Sequence, residues 1–540
     1  MKDVLRWAPE VRSEISYIVL QGDRMLLADP VVARAVTNIR IRADDQPDPT
    51  KLSDVFVDTG VLQQLDNAND QIIHGRRGTG KTHVFTYQAS RLARHEAICP
   101  VLIDVRTLGS SPQFTDPKAS IHDRCLALFR DILFAVRNGI LRHIGEHGNL
   151  HSDVAIEGLE ALDTAFAEPV TEFLPTSYTN VSRSEGGKSR EVSAEFDNRP
   201  KITAKLGSTG SNSREVTQEY QAVQHDKVHF PMIGQSLRSV LDAAGLQLVI
   251  FLDEWSSLPP ELQPYLAEFL KRSIMPLPIA VLKIAALEHR SVFLKFEGNE
   301  QIGFELGADI AAARHLDDFY TFEMNPEGLV ATFADVLLHH LRSELPDGYL
   351  ESRHHITTPS GLVDALFESG SVFAELVHAS EGNLRDFIQV FADAFQRSGP
   401  RRTQGIGLEA TRKAAVDYTY LHKLPNVPSD LRFVMQHIVR VLVSEAKRRD
   451  FYLGAESQSR PVIQRLLDSR LLHVTRRVVV SAERPGEVFS QYVFDYGFML
   501  PFFSFTKSLG HERLSGADPD EHDAKIQRLV DDGEIAQTGV

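Results

Sequence analysis

The chain has 540 residues, 42% of them hydrophobic and 24% charged, with a formal net charge of −15. This composition fits a globular protein of roughly two to four domains and excludes one that coats nucleic acid or an anionic membrane with its whole surface. Two cysteines, Cys99 and Cys125, give no disulfide framework and no zinc site, which fits a reducing cytoplasm; no apolar run is long enough for a membrane span.

In chain order, residues 1–70 read as a helical lead-in, broken by a polar, proline-bearing linker at 42–54. From Gln71 on, short apolar strands alternate with helical patterns. The strands are expected at 71–75, 100–108, 246–255, 278–289 and 319–324. Strands alternating with helices imply an α/β domain with a parallel sheet, here over 71–325. The near-continuous apolar run LQLVIFL at 246–252 is what a parallel strand covered on both faces requires. Residues 176–227 break the pattern. They are rich in Ser, Thr, Asn and Gly with patches of alternation, which suits either an irregular surface insertion or a protruding β-hairpin. Residues 326–400 read as helices and 397–407 as a linker. Over 426–508 a helix, a short strand, a second helix and a Pro-Gly hairpin give a winged-helix layout. The acidic tail, 509–540, is expected to be mobile.

The sharpest chemical signal is Gly75-Arg76-Arg77-Gly78-Thr79-Gly80-Lys81-Thr82, a G-x-x-x-x-G-K-[ST] loop after an apolar strand and before a helix that continues through His83. Glycines let successive N–H groups point inward at phosphate oxygens, and the helix start adds its positive dipole end. Lys81 supplies a point charge for the β- and γ-phosphates of ATP, and the Thr82 hydroxyl a ligand for Mg2+. At the end of the 246–255 strand, Asp253 can reach the same magnesium and Glu254 can polarise an attacking water. The plainer reading is two acids at a strand end, but adjacent carboxylates beside a buried strand are costly without a cation.

The form GRRGTGKT resembles the AAA+ P-loop ATPases, most closely the origin-recognition/initiator type and its bacterial relatives, which include ATPases of antiphage defence. The resemblance spans roughly residues 50–510. It implies a parallel-sheet core with an inserted hairpin, an α-helical lid and a C-terminal winged helix, with Mg2+-dependent ATP hydrolysis in a homo-oligomer. It further implies that Arg385, in SEGNLRDF, reaches back to the γ-phosphate; the local reading is a helix start capped by Asn383 with Arg385 in a surface ion pair. Arg314, placed just before the last core strand, matches a trans-acting arginine finger or is simply solvated. One departure stands out. Where the family carries a small polar first sensor, this chain has Glu288, His289 and Arg290; His289 either orients water or is a structural histidine.

Residues 397–484 carry 17 Lys/Arg against 8 Asp/Glu, a local charge of +9. A basic winged helix on an acidic core points to double-stranded DNA, with Arg460, Gln464 and Arg465 off the apolar stripe of the second helix and Arg476 and Arg477 at the start of the wing. The other reading is a winged helix packed on its own core or on a protein. Two functions follow: a DNA-associated ATPase switch, or a signalling ATPase whose nucleotide state controls oligomerisation or a separate effector protein. No membrane partner is expected.

Overall fold

The computed structural model describes residues 26–41, 49–109, 118–147, 155, 157–162, 169–183, 190–195, 201–207, 213–226, 229–319, 325–399, 405–482, 486–502 and 518–532, with backbone alone between 169 and 226. In chain order the strands are β1 (Gln71–His74), β2 (Ile98–Asp104), β3 (Pro169–Arg183), β4 (Arg190–Glu195), β5 (Lys201–Gly207), β6 (Ser213–Asp226), β7 (Gln247–Asp253), β8 (Ala280–Ala286), β9 (Leu294–Glu297), β10 (Glu300–Gly303) and β11 (Ala311–His315). After the helices come β12 (Asp450–Gly454), β13 (Leu472–Val480) and β14 (Val488–Phe494).

The central sheet runs β11-β1-β8-β7-β2, with every pairing parallel. Its apolar runs follow from burial of both faces. Ile72, Ile250 and Ile284 point into one core, built with Phe129, Ile132 and Leu237. Their chain neighbours Ile73, Phe251 and Ala285 point into a second, built with Val84 and Phe85 of the Lys81–Leu92 helix. Side chains alternate across a strand, so a strand sandwiched this way has no polar face to show. Because the strands are parallel, His74, Asp104, Asp253, Ala286 and His315 all end on one rim of the sheet. In open parallel sheets that rim is where ligands bind.

The helices Pro326–Glu344, Gly370–Ala379 and Leu384–Ser398 close over a separate apolar core. The Pro30–Asn38 helix docks there through Val32, Ala35 and Val36. Asp29, its N-cap, accepts hydrogen bonds from Val31 N, Tyr349 Oη and His354 Nε2 at 2.8–2.9 Å. A third core lies under the sheet β12-β14-β13, with the helices Ser429–Arg440 and Pro461–Asp468.

Several expectations change. The last core strand is β11, so Arg314 lies within it and not before it; Phe319 ends a short 3-10 turn, and 320–324 lie outside the described residues. The linker gives way to a helix at Pro49–Asp54, proline at its first position. Residues 42–48 lie outside the described residues. The insertion is four antiparallel strands in the order β3-β6-β5-β4, starting at Pro169, more than a single hairpin. The hairpin β9–β10 was not anticipated.

The tail is the clearest correction. Glu521–Asp532 is a helix docked on the C-terminal unit, with Ile526 and Val530 buried. Arg448 pairs with Asp520 and Asp523, and Asp523 also accepts from Tyr452 N. Apolar residues four apart on an otherwise acidic helix make one narrow stripe, enough to dock but too sparse to stand out in composition. Ile526→Ala should cost about 2–4 kcal/mol, read from the urea midpoint of the C-terminal unit. A loss below about 0.5 kcal/mol would mean the helix is not seated there.

Candidate nucleotide site

The loop after β1 turns twice through left-handed backbone, at Gly78 (φ 90°) and Gly80 (φ 89°). At Gly78 a side chain is also excluded by space, since a Cβ there would sit 2.5 Å from Asn383 Oδ1. Asn383 does two things at once. Its Oδ1 caps the Leu384–Ser398 helix by accepting from Asp386 N, and its Nδ2 donates to Arg77 O at 2.7 Å. The local reading of Asn383 as a cap is therefore correct, and the cap is itself the bolt holding the helical layer to the loop.

Lys81 is buried and donates through Nζ to Gly75 O (2.6 Å) and Arg76 O (3.0 Å). Burial pushes its pKa down, against the pull of Asp317, Glu254 and Asp253; the nearby charge of Arg385 pushes the same way as burial. Asp253, at the end of β7, accepts from the Thr82 hydroxyl and from Glu254 N, and burial raises its pKa. Glu254 sits in left-handed backbone (φ 58°), a conformation that costs a non-glycine residue on the order of 1 kcal/mol and concentrates at functional positions. A cleft of about 260 Å3 runs from this corner. Its lining includes the polar or loop residues Arg77, Gly78, Gly80, Lys81, Thr82, Glu254 and Arg385 and, beside them, Ile41, Leu52, Leu384, Ile388 and His340. His83 also lines it, with Nε2 hydrogen-bonded to Leu52 O at 2.6 Å. Sequence reasoning missed Arg106, His340 and Glu344 on its walls. Arg106, paired with Asp104 at the end of β2, carried a signal, being two residues past a core strand.

Arg76 behaves differently from its neighbours. Its backbone belongs to the loop, but its guanidinium points away from the cleft. It pairs with Asp317 (Nε–Oδ1 2.8 Å), donates to Glu381 O (3.0 Å) and meets His473 Nδ1 of β13. With Arg76 donating, His473 Nδ1 must accept, so its proton sits on Nε2, facing Asp495. Asp495 and Asp386 share the buried ammonium of Lys423 at 2.6 and 2.7 Å. Arg470 and Tyr418 Oη also bond Asp386, at 3.0 Å each. Desolvation raises both carboxyls, and Lys423 more than offsets it, holding Asp386 below and Asp495 well below the usual range. One hydrogen-bonded chain thus runs from the phosphate loop through the C-terminal unit to the start of the helix that carries Arg385.

Arg385 is half-buried in the cleft, its N–H 3.3 Å from Gly78 O. Arg314 is exposed on the edge strand β11. His289 is bonded to Asp468 through Nε2 (2.8 Å), and Arg290 pairs with the same carboxylate, so both point at the Pro461–Asp468 helix and not at the cleft. Among the residues expected to face DNA, Arg477 reaches Glu288, His315, Asp317 and Asp318 of the core. Arg460 pairs with Asp531, and Gln464 lines a cavity of about 500 Å3 against the core. Arg465 is exposed and Arg476 half-buried.

No protein-family model matches the chain, and no curated protein does. Among solved structures it is similar to Cdc6p from Pyrobaculum aerophilum, at 12% identity and a TM-score of 0.30, covering 92% of this chain and 98% of that one. It is also similar to the Orc1 protein of Aeropyrum pernix in complex with DNA, at 11% identity and a TM-score of 0.30, covering 94% and 98%. Likeness at that TM-score carries no argument about activity.

His473 gives this corner a pH dependence. Burial first, then the charges of Arg76 and Lys423, hold its pKa down at about 4 against the pull of Asp495. Between about pH 6.5, its unfolded value, and about 4, the unfolded chain takes up a proton that the native one does not. Stability is therefore full above that window and falls on acidification through it, by up to about 1.4 kcal/mol per pH unit. The urea midpoint of the C-terminal unit should carry this contribution, and His473→Gln should show a slope shallower by up to that amount. A slope unaltered in that variant would refute the assignment.

Proposed function

We propose that the chain is an ATP-binding and hydrolysing P-loop ATPase of the AAA+ kind, working as a nucleotide switch. The observation that carries this reading is the meeting of the Thr82 hydroxyl with buried Asp253 beside Lys81, at the rim of a parallel sheet. A hydroxyl and a carboxylate are hard oxygen donors that suit Mg2+, and burial makes Asp253 costly to ionise without a cation. Thr82 and Asp253 would hold Mg2+, which when bound neutralises charge on the terminal phosphates. Lys81 and the loop N–H groups of 75–82 bind the phosphates, and the apolar lining residues Ile41, Leu52 and Ile388 receive the base. Glu254, on the cleft wall, takes the proton of the attacking water. Arg385 reaches the γ-phosphate, and Arg314, exposed on an edge strand, suits a site shared with a second copy of the chain.

We read 326–398 as a lid and 426–502 as a winged helix. In the conformation described, Arg477 and Gln464 face the core, so duplex DNA would meet this face only after the winged helix releases. The nucleotide is the natural trigger, because Arg76 of the phosphate loop and Arg477 share the carboxylate of Asp317. The internal pairing of Arg460 and Arg477 favours the second reading: a signalling ATPase, of the kind antiphage defence uses, that controls oligomerisation or a separate effector without touching DNA.

Lys81→Ala should abolish ATP binding, through loss of a charge-assisted contact of about 2–4 kcal/mol. Glu254→Gln should bind ATP with Mg2+ as the native protein does and turn it over at least about a hundredfold more slowly. Native turnover in Glu254→Gln would remove it from the proton-accepting role. For the second question, duplex DNA is titrated against salt with ATP present. If Arg465 and Arg476 touch phosphates, changing both to Ala flattens the slope of log affinity against log salt by roughly 0.9 per contact. Native protein that binds no duplex at low salt, yet still oligomerises with ATP, selects the signalling reading.

A further inference from the structure

His74 is the last residue of β1, immediately before the phosphate loop, and is 6% exposed. Neither of its ring nitrogens has a hydrogen-bond partner. A buried imidazole with both nitrogens unsatisfied is costly and asks for an explanation. His315 ends the adjacent strand β11, in register with His74, and Glu288 follows β8 on the other side. One nitrogen from each histidine and one Glu288 oxygen lie within 4.8 Å of one another. Three neighbouring parallel strands thus deliver two imidazoles and a carboxylate to one point on the rim.

We propose that His74, His315 and Glu288 form a binding site for a divalent transition-metal ion of the zinc type, in competition with the guanidinium of Arg477. Two imidazoles and one carboxylate are a donor set that zinc accepts with a fourth position open, and closing the trio to about 2.0–2.2 Å per bond needs only small side-chain movements. Burial keeps His74 uncharged at neutral pH, the form in which imidazole ligates. Glu288 and His315 also line the cavity of about 500 Å3 between the core and the Pro461–Asp468 helix, which gives an ion a way in. Arg477 now fills the place of the cation, with Nε 2.9 Å from His315 Nδ1 and 3.2 Å from Glu288 Oε2. It also holds Asp317 and Asp318, so it can yield the first two partners and keep the others. The ion and the docked β13 therefore oppose each other, which places a metal-responsive element one residue from the phosphate loop.

The test is zinc chloride titrated calorimetrically into tag-free full-length protein with excess Mg2+ and ADP, repeated with Co2+ to read coordination from its visible spectrum. The native chain should bind a single equivalent. Glu288→Gln, at an exposed position, and His315→Ala, at a partly buried sheet edge, should each weaken binding by about a hundredfold. His74→Ala should do the same if it folds. Arg477→Ala should bind on the order of tenfold more tightly, having lost a competing unit charge. No zinc binding by the native chain overturns the proposal. So does binding unchanged in Glu288→Gln and His315→Ala, or binding lost only in Asp253→Asn, which would put the ion at the magnesium position. An unchanged affinity in Arg477→Ala overturns the competition.

Discussion

The structure turns on where one guanidinium points. Arg76 belongs by sequence to a phosphate-binding loop, yet its side chain leaves the cleft and joins three parts of the chain: Asp317 after the edge strand, the carbonyl of Glu381 in the helical layer, and His473 in the C-terminal unit. A buried guanidinium stripped of its carboxylate partner costs several kcal/mol. Nothing that moves the loop can leave those partners indifferent. The layers are joined by directional bonds to the loop proposed to bind phosphate.

The same logic reinterprets the charge of the C-terminal third. Its basic excess looks like a surface for nucleic acid when counted along the chain. In space much of it has acidic partners: Lys423 with Asp386 and Asp495, Arg449 with Glu381, Arg448 with Asp520 and Asp523, and Arg477 with the core acids. Several of these pairs cross between layers, tying the C-terminal unit to the helical layer through Lys423 and Arg449 and to the core through Arg477. Removing one member would strand a buried charge, which costs more than the pair contributes. Such interfaces favour a few discrete arrangements over gradual loosening.

The sequence disclosed features whose causes are local. A strand buried on both faces must be apolar throughout, so β1, β7 and β8 stood out; the phosphate loop needs particular residue types at adjacent positions, so it did too. β11, AAARH, escaped because it is a short edge strand with an exposed arginine. The docked tail helix escaped because three apolar residues, Ile526, Leu529 and Val530, carry its attachment inside an acidic stretch. Least legible were the partners of charges. Arg477 meets Asp317 and Asp318, about 160 positions earlier, and no pattern along the chain announces that pairing. Asn383 shows the middle case: its role as a cap was readable locally, its bond to the phosphate loop was not.

The central claim is that the state of the phosphate loop is felt by the C-terminal unit through Arg76 and His473. Amide hydrogen exchange of Glu254→Gln, with and without ATP and Mg2+, tests it most directly. The account predicts altered exchange in two places besides the loop, the strand Leu472–Val480 and the first turn of Leu384–Ser398, with the response of the strand lost in Arg76→Met. Protection of the loop at 75–82 with no change in either distant segment would contradict it.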